Sequence, residues 1–145
     1  MRNYFNKGIL LLVGIFCSLT GKANISQPES ATRFSWNPII KAIAMVESTN
    51  NPKAIGRGGS VGLLQITPVL VRECNNILKE KKSTKRYSLK DRLDSTKSVE
   101  MFILYQEKYN PSRNIEKAIR LWNGGPRYSV KGTQRYFNKV RKHLS

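Results

Sequence analysis

Glu47 lies on the same stripe as the apolar side chains that precede it. Trp36, Ile40, Ile43 and Glu47 are separated by 4, 3 and 4 residues, a spacing that stacks side chains on one helix face, while Lys41 falls off that face. A glutamate is seldom buried without a partner or a task. The competing reading is that the helix frays at this point and leaves Glu47 in water as an end residue. If the carboxyl is held in place, two effects act on it. Negative charge near a helix C-terminus opposes the macrodipole, and partial burial opposes ionisation. Both favour the protonated form, which general-acid cleavage of a glycosidic bond requires.

Other residues could serve such chemistry. Gly56, Gly58, Gly59 and Gly62 allow positive φ and close approach of backbone to a ligand, although a plain connector would use glycines too. Gln65 sits between Leu64 and Ile66, where an unpaired amide would cost about 1–3 kcal/mol, so it needs a protein partner or a sugar. Asn123 precedes Gly-Gly-Pro and reads as a helix end or as a ligand contact. Tyr136 reads as a core aromatic with its hydroxyl at the surface, or as a site residue. A conventional glycosidase uses two carboxylates. The available second groups, Glu73, Asp91 and Asp94, fall in or beside charged stretches expected to be solvated.

Taken in order, four motifs carry a resemblance: E-S-T-N-N-P-K-A at 47–54, G-G-S-V-G-L-L-Q-I-T-P at 58–68, W-N-G-G-P at 122–126 and R-Y-F-N-K-V at 135–140. Together they resemble the lytic transglycosylase family with the lysozyme-like fold. The resemblance implies that Glu47 is a single catalytic acid and base that cleaves peptidoglycan between N-acetylmuramic acid and N-acetylglucosamine. It implies that Gln65 and Asn123 line the sugar groove, that Tyr136 hydrogen-bonds near the glutamate, and that Ser60 is a further groove contact. One acid suffices if the muramic C6 hydroxyl closes on C1 as a 1,6-anhydro ring, since that attack is intramolecular. Two departures bear on substrate detail. Leu121-Trp122 stands where the family often has alanine-tyrosine, and Gly56 stands where a serine is frequent. Two rival readings remain open here: a lysozyme-type hydrolase on the same fold, and a non-catalytic cationic wall-binding component of a secretion or conjugation apparatus.

The elements that must position these residues are helices. Asn37-Pro38 supplies a cap and a first-turn proline for a first helix that ends at Asn50-Asn51-Pro52. Thr67-Pro68 repeats the signal and opens a second helix through Val71, Cys74 and Leu78. The basic stretch 79–87 reads as an exposed loop. Asp94-Ser95 opens a third helix with Val99, Phe102, Ile103 and Gln106, ending near Asn110-Pro111. A fourth spans 114–122 and a last one 133–143. No segment alternates with period two and none repeats, so residues 36–145 are expected to form one mainly α, lysozyme-like domain of about five helices with a glycine-rich loop.

Arg2 and Lys7 precede an apolar run over residues 8–17, followed by Gly21 and Ala23. This is the layout of a secretory signal peptide over residues 1–23, and the run is about half of the ~20 residues a spanning helix needs. The bulky Phe16 before Cys17 argues against lipidation there. Residues 24–35 read as a polar leader. Cleavage would leave Cys74 as the one cysteine, unable to close an internal disulfide. The whole chain carries 26 Lys and Arg against 9 Asp and Glu, net +17. Loss of Arg2, Lys7 and Lys22 would bring that to +14, a field that draws polyanions. With export to the periplasm or cell envelope, or secretion beyond it, those are peptidoglycan stem-peptide carboxylates, wall polymers or anionic lipid headgroups; the competing reading is a solvated basic surface that only aids solubility. No aromatic-basic nucleic-acid motif and no zinc-finger spacing is present, so nucleic acid is not the expected partner. A monomer is expected. No cofactor or metal is expected either, given one histidine, His143, and one mature cysteine.

Overall fold

Five α-helices and two short 3₁₀ segments make up the described part of the chain, residues 34–144 of a computed structural model. The expected signal segment 1–23, Cys17 within it, and leader residues 24–33 lie outside the described residues. The helices are α1 (Asn37–Ser48), α2 (Pro68–Glu80), α3 (Ser95–Tyr109), α4 (Ile115–Gly124) and α5 (Val130–Arg141). Among the described residues there is no strand, only isolated antiparallel bridges of Val61 with Ile55 and Ile66.

Four of the five helices begin on a side-chain cap. Thr67 accepts from the Leu70 N–H at 3.3 Å, Asp94 from Lys97 at 3.0 Å, Asn114 from Lys117 at 2.8 Å and Ser129 from Gly132 at 3.0 Å. Each bond satisfies a donor that the first turn would otherwise leave unpaired. The start of α1 departs from the expectation. Asn37 is already helical, the cap position is Trp36, and the Asn37 N–H donates to Ser35 Oγ at 3.2 Å. The start of α5 also differs, lying three residues before the expected 133. Ser129 caps it, and Gly132 fits into its first turn.

α1 ends abruptly. Thr49 and Asn50 adopt left-handed φ values of 53° and 61°, and their N–H groups donate to Met45 O and Ala44 O. A β-branched residue in that region is strained, so the stop is imposed by the surroundings. It leaves Glu47 in an ordered last turn, which removes the fraying alternative.

The core gathers Ile43 of α1, Ile77 of α2, Met101 and Phe102 of α3, and Leu64 and Ile66 from the segment after the glycine loop, all fully buried. α1 packs on α4 and α5, and α2 on α3. Cys74 lies within this core, with its thiol directed at Met101 O at 3.6 Å and burial pushing its pKa up to about 12, so it is an inert packing residue. The basic stretch 79–87 differs from a plain exposed loop at both ends. Glu80 closes α2, and Tyr87 is buried, exchanging two 2.8 Å hydrogen bonds with the Asn75 side chain.

Candidate active site

Glu47 is half-buried, and its Oε1 accepts a 2.6 Å hydrogen bond from the Tyr136 hydroxyl of α5. No other group among the described residues bonds this carboxyl. No buried side-chain oxygen among the described residues lacks a partner, so Oε2 is open to solvent. Burial pushes the carboxyl above its ordinary value of 4.5, and the Tyr136 bond pulls it back by less. The Tyr136 phenol is itself raised, first by burial and then by the charge of Glu47, so it remains a donor. The result is a partly dehydrated acid with one oxygen anchored and the other free to deliver or take a proton.

The residue after the acid ties the site together. Ser48 Oγ donates to Leu63 O at 2.7 Å and accepts the Asn51 N–H at 3.1 Å, clipping the end of α1 to the segment that carries Gln65. Gln65 holds a left-handed φ of 50°. Its amide Nε2 donates to Gly62 O at 3.0 Å and Ala54 O at 3.3 Å, while its Oε1 accepts from Ser60 Oγ at 2.9 Å. The half-buried amide therefore has protein partners. Ser60 reaches the site through Gln65 and is not among the residues that line the cavities described next.

Gly56 clarifies the departure from serine at that position. Its φ of −100° is ordinary extended backbone, so positive φ belongs to Gly58, Gly59 and Gly62 alone, which corrects the expectation for all four. Glycine is needed at 56 for space: a Cβ there would collide with Gln65 Oε1 and Ser60 Oγ.

Two adjoining cavities share Asn123. The larger, about 380 Å³, is bounded by Gln65, by Leu70 and Glu73 of α2, by Tyr105 and Tyr109 of α3, and by Trp122. The second, about 360 Å³, is bounded by Arg135, Tyr136 and Lys139 of α5. Asn123 thus joins the cavity of Gln65 to that of Tyr136, and through Tyr136 to Glu47. Trp122 keeps the aromatic wall, its ring 5.0 Å from Phe102 and 6.3 Å from Tyr105.

Glu73 departs from its expected place, and two further residues, Arg92 and Arg120, escape a reading of sequence. Glu73 is half-buried on the cleft wall, not in a solvated stretch, and accepts from the Tyr109 hydroxyl at 2.5 Å. Asp91 and Asp94 are occupied elsewhere, the first with Lys97 at 2.6 Å and the second as the cap of α3. Arg92 clamps the glycine loop by donating to Gly59 O at 2.8 Å and Ile66 O at 3.3 Å. Arg120 is buried between α4 and α5, donating to Glu116, Val130 O, Thr133 and Gln134, with its guanidinium 4.4 Å from the Phe137 ring. That network fixes the helix bearing Asn123 to the helix bearing Tyr136. The (i, i+4) spacing of Glu116 and Arg120 is the only one of these contacts visible in the sequence.

The transglycosylase SLT domain family matches the chain over residues 24–144. Among solved structures, the chain is similar to the 70 kDa soluble lytic transglycosylase from Escherichia coli, with a TM-score of 0.52 and 19% sequence identity. The similarity covers 79% of this chain and 18% of that one, and at this identity it is a likeness of fold. No curated protein matches the chain in sequence.

Proposed function

The chain belongs to the transglycosylase SLT domain family, and from that premise we propose that it is a peptidoglycan lytic transglycosylase, cleaving glycan strands between N-acetylmuramic acid and N-acetylglucosamine. The observation that carries the reading is the half-buried Glu47, raised by burial and anchored at 2.6 Å by Tyr136; Glu47 borders neither cavity itself, but Tyr136 borders one with Asn123, and Asn123 also borders the cavity of Gln65. Glu47 gives its proton to the glycosidic oxygen as the bond from that oxygen to the muramic C1 breaks. It then takes the proton of the muramic C6 hydroxyl as that oxygen bonds to C1, closing the 1,6-anhydro ring. The carboxyl ends as it began, and no water is consumed. Gln65 and Asn123 contact the sugars in this reading, and Ser60 contributes by orienting Gln65.

Two rivals are separable from it. Hydrolysis by water would leave reducing ends, and Glu73 on the cleft wall is the residue that could serve it as a second carboxylate. A wall-binding component without catalysis would bind sacculi and release nothing. Mass spectrometry of digested peptidoglycan decides among them: anhydro ends are expected from the wild type, and Glu47→Gln should lower their formation by about 10³-fold. Reducing ends would establish the hydrolase, and the absence of any soluble product would establish the binder.

The same proposal places the protein outside the cytoplasm, exported by residues 1–23 to the periplasm or cell envelope. It acts there as a monomer on glycan strands, with an envelope-spanning secretion or conjugation apparatus as its candidate partner. Cell fractionation checks the location.

A further inference from the structure

Glu73 stands out by how the chain uses its other carboxylates. Eight of the nine acidic residues lie in the described part, and five of them are ion-paired: Glu80 with Lys108, Asp91 with Lys97, Glu100 with Lys85, Glu107 with Lys81 and Glu116 with Arg120. Asp94 caps α3. Two carboxylates remain, Glu47 and Glu73, each bonded to a tyrosine hydroxyl. In a chain with 26 lysines and arginines, a cleft carboxylate that forms no ion pair among the described residues is conspicuous.

The surroundings of Glu73 suit a cationic ligand. Oε1 is held by Tyr109 at 2.5 Å, and Oε2 has no partner among the described residues and is not a buried orphan, so it opens into the cleft. The same cleft is lined by the aromatic residues Tyr105, Tyr109 and Trp122. Aromatic faces attract an ammonium through their quadrupoles, and a fixed carboxylate oxygen gives it a charge-assisted hydrogen bond. The Tyr109 phenol, raised to about 12 chiefly by its bond to Glu73, stays a donor and keeps Oε1 in place.

We propose that Glu73 makes this cleft selective for ligands bearing a primary ammonium group, carried either by a de-N-acetylated glucosamine ring or by a diamino acid of the wall peptide. The proposal rests on the reading of the cleft as a glycan site. Net charge cannot produce the effect, because a protein of +17 repels a cation at long range; the preference must be local.

The test is calorimetric binding to the full chain carrying Glu47→Gln, so that ligands stay intact, with and without Glu73→Gln. The probes are a fully N-acetylated glucosamine tetrasaccharide, the same tetrasaccharide with one amine freed, and a disaccharide-peptide with its diamino acid free or N-acetylated. The free amine should tighten binding about tenfold, and Glu73→Gln should abolish that gain while leaving the blocked ligands unchanged. Glutamine still accepts from Tyr109, so the cleft survives the change. Tyr109→Phe, which frees Oε1 to rotate, should reduce the gain in part. A gain confined to the sugar pair puts the ammonium on the ring, and one confined to the peptide pair puts it on the stem. Equal affinity for free and blocked ligands, or a gain that survives Glu73→Gln, overturns the proposal. So does a loss of cleavage equal on amine-bearing and blocked substrates when Glu73→Gln is made in the chain that keeps Glu47, which would make Glu73 part of the reaction itself. An amine gain without anhydro products leaves the ammonium site standing and removes the transglycosylase reading; anhydro products without the gain do the reverse.

Discussion

Two opposed influences meet on one proton at Glu47. Burial raises the carboxyl, and the Tyr136 bond lowers it by less. Removing the bond with Tyr136→Phe therefore lets the pKa rise further, so the acid keeps its proton to higher pH. The alkaline limb of kcat/KM should move upward while the maximum falls about tenfold, because the anchored geometry is lost. A limb that moves down, or stays, would assign that limb to another group. Burial of Glu47 also has a stability sign. Below its ordinary value of 4.5 the carboxyl is protonated in folded and unfolded chains alike. As pH rises, the unfolded chain ionises freely while the folded one resists, so stability is lost through the window from 4.5 up to the raised value. Glu47→Gln, always neutral, should melt higher than the wild type at neutral pH, with the gain gone by about pH 3. Thermal melts at the two pH values check it. The stripe of Trp36, Ile40, Ile43 and Glu47 put this acid on the core face, but spacing left a frayed helix end open, and it was the ordered motifs after it that singled Glu47 out. Glu73 was less so. Leu70 and Glu73 are three apart on α2 and both face the cleft, yet the charged residues around them suggested solvent, and the Tyr109 partner lies 36 residues away.

At the scale of elements, the loop from 56 to 66 orients Gln65, and its glycines do different work. A Cβ at Gly56 would meet only the movable ends of Gln65 and Ser60, in backbone that any residue adopts. A Cβ at Gly62 would meet the Arg92 carbonyl oxygen, which is backbone, at a φ of +81°. Gly56→Ala should therefore displace the Gln65 amide and lower activity with a stability change under about 1 kcal/mol, whereas Gly62→Ala should cost about 2 kcal/mol or more. Denaturant melts alongside cleavage assays separate the two; equal destabilisation would mean that the Gln65 amide cannot move aside. The helix starts at Thr67, Asp94 and Asn114 were legible because a cap is a local signal, one side chain serving an N–H three residues on. The start of α5 was hidden by Gly132 in its first turn. The clamp of Arg92 on Gly59 O and Ile66 O, at separations of 33 and 26 residues, leaves no local trace.

For the whole molecule, the decisive quantity is where the surplus of positive charge goes. Five described acidic residues are taken up by lysines or arginines, and the remaining cations form a field with little to oppose it. Part of it reaches the site, since Arg135 and Lys139 border the cavity of Tyr136, while the adjoining cleft carries Glu73. Long-range attraction and local recognition should therefore separate experimentally. Attraction of the chain to an anionic sacculus is screened as the Debye length shrinks from about 10 Å at 0.1 M salt to about 3 Å at 1 M. Pull-down on purified sacculi should weaken by about an order of magnitude across that range, and Glu47→Gln should trace the same curve, because one half-buried carboxyl adds little to the field. Arg135→Glu with Lys139→Glu, which reverses the charge beside Tyr136, should lower binding at 0.1 M and flatten the salt dependence. Salt-independent adsorption would mean that cleft contacts dominate wall binding and that the basic surface serves solubility alone.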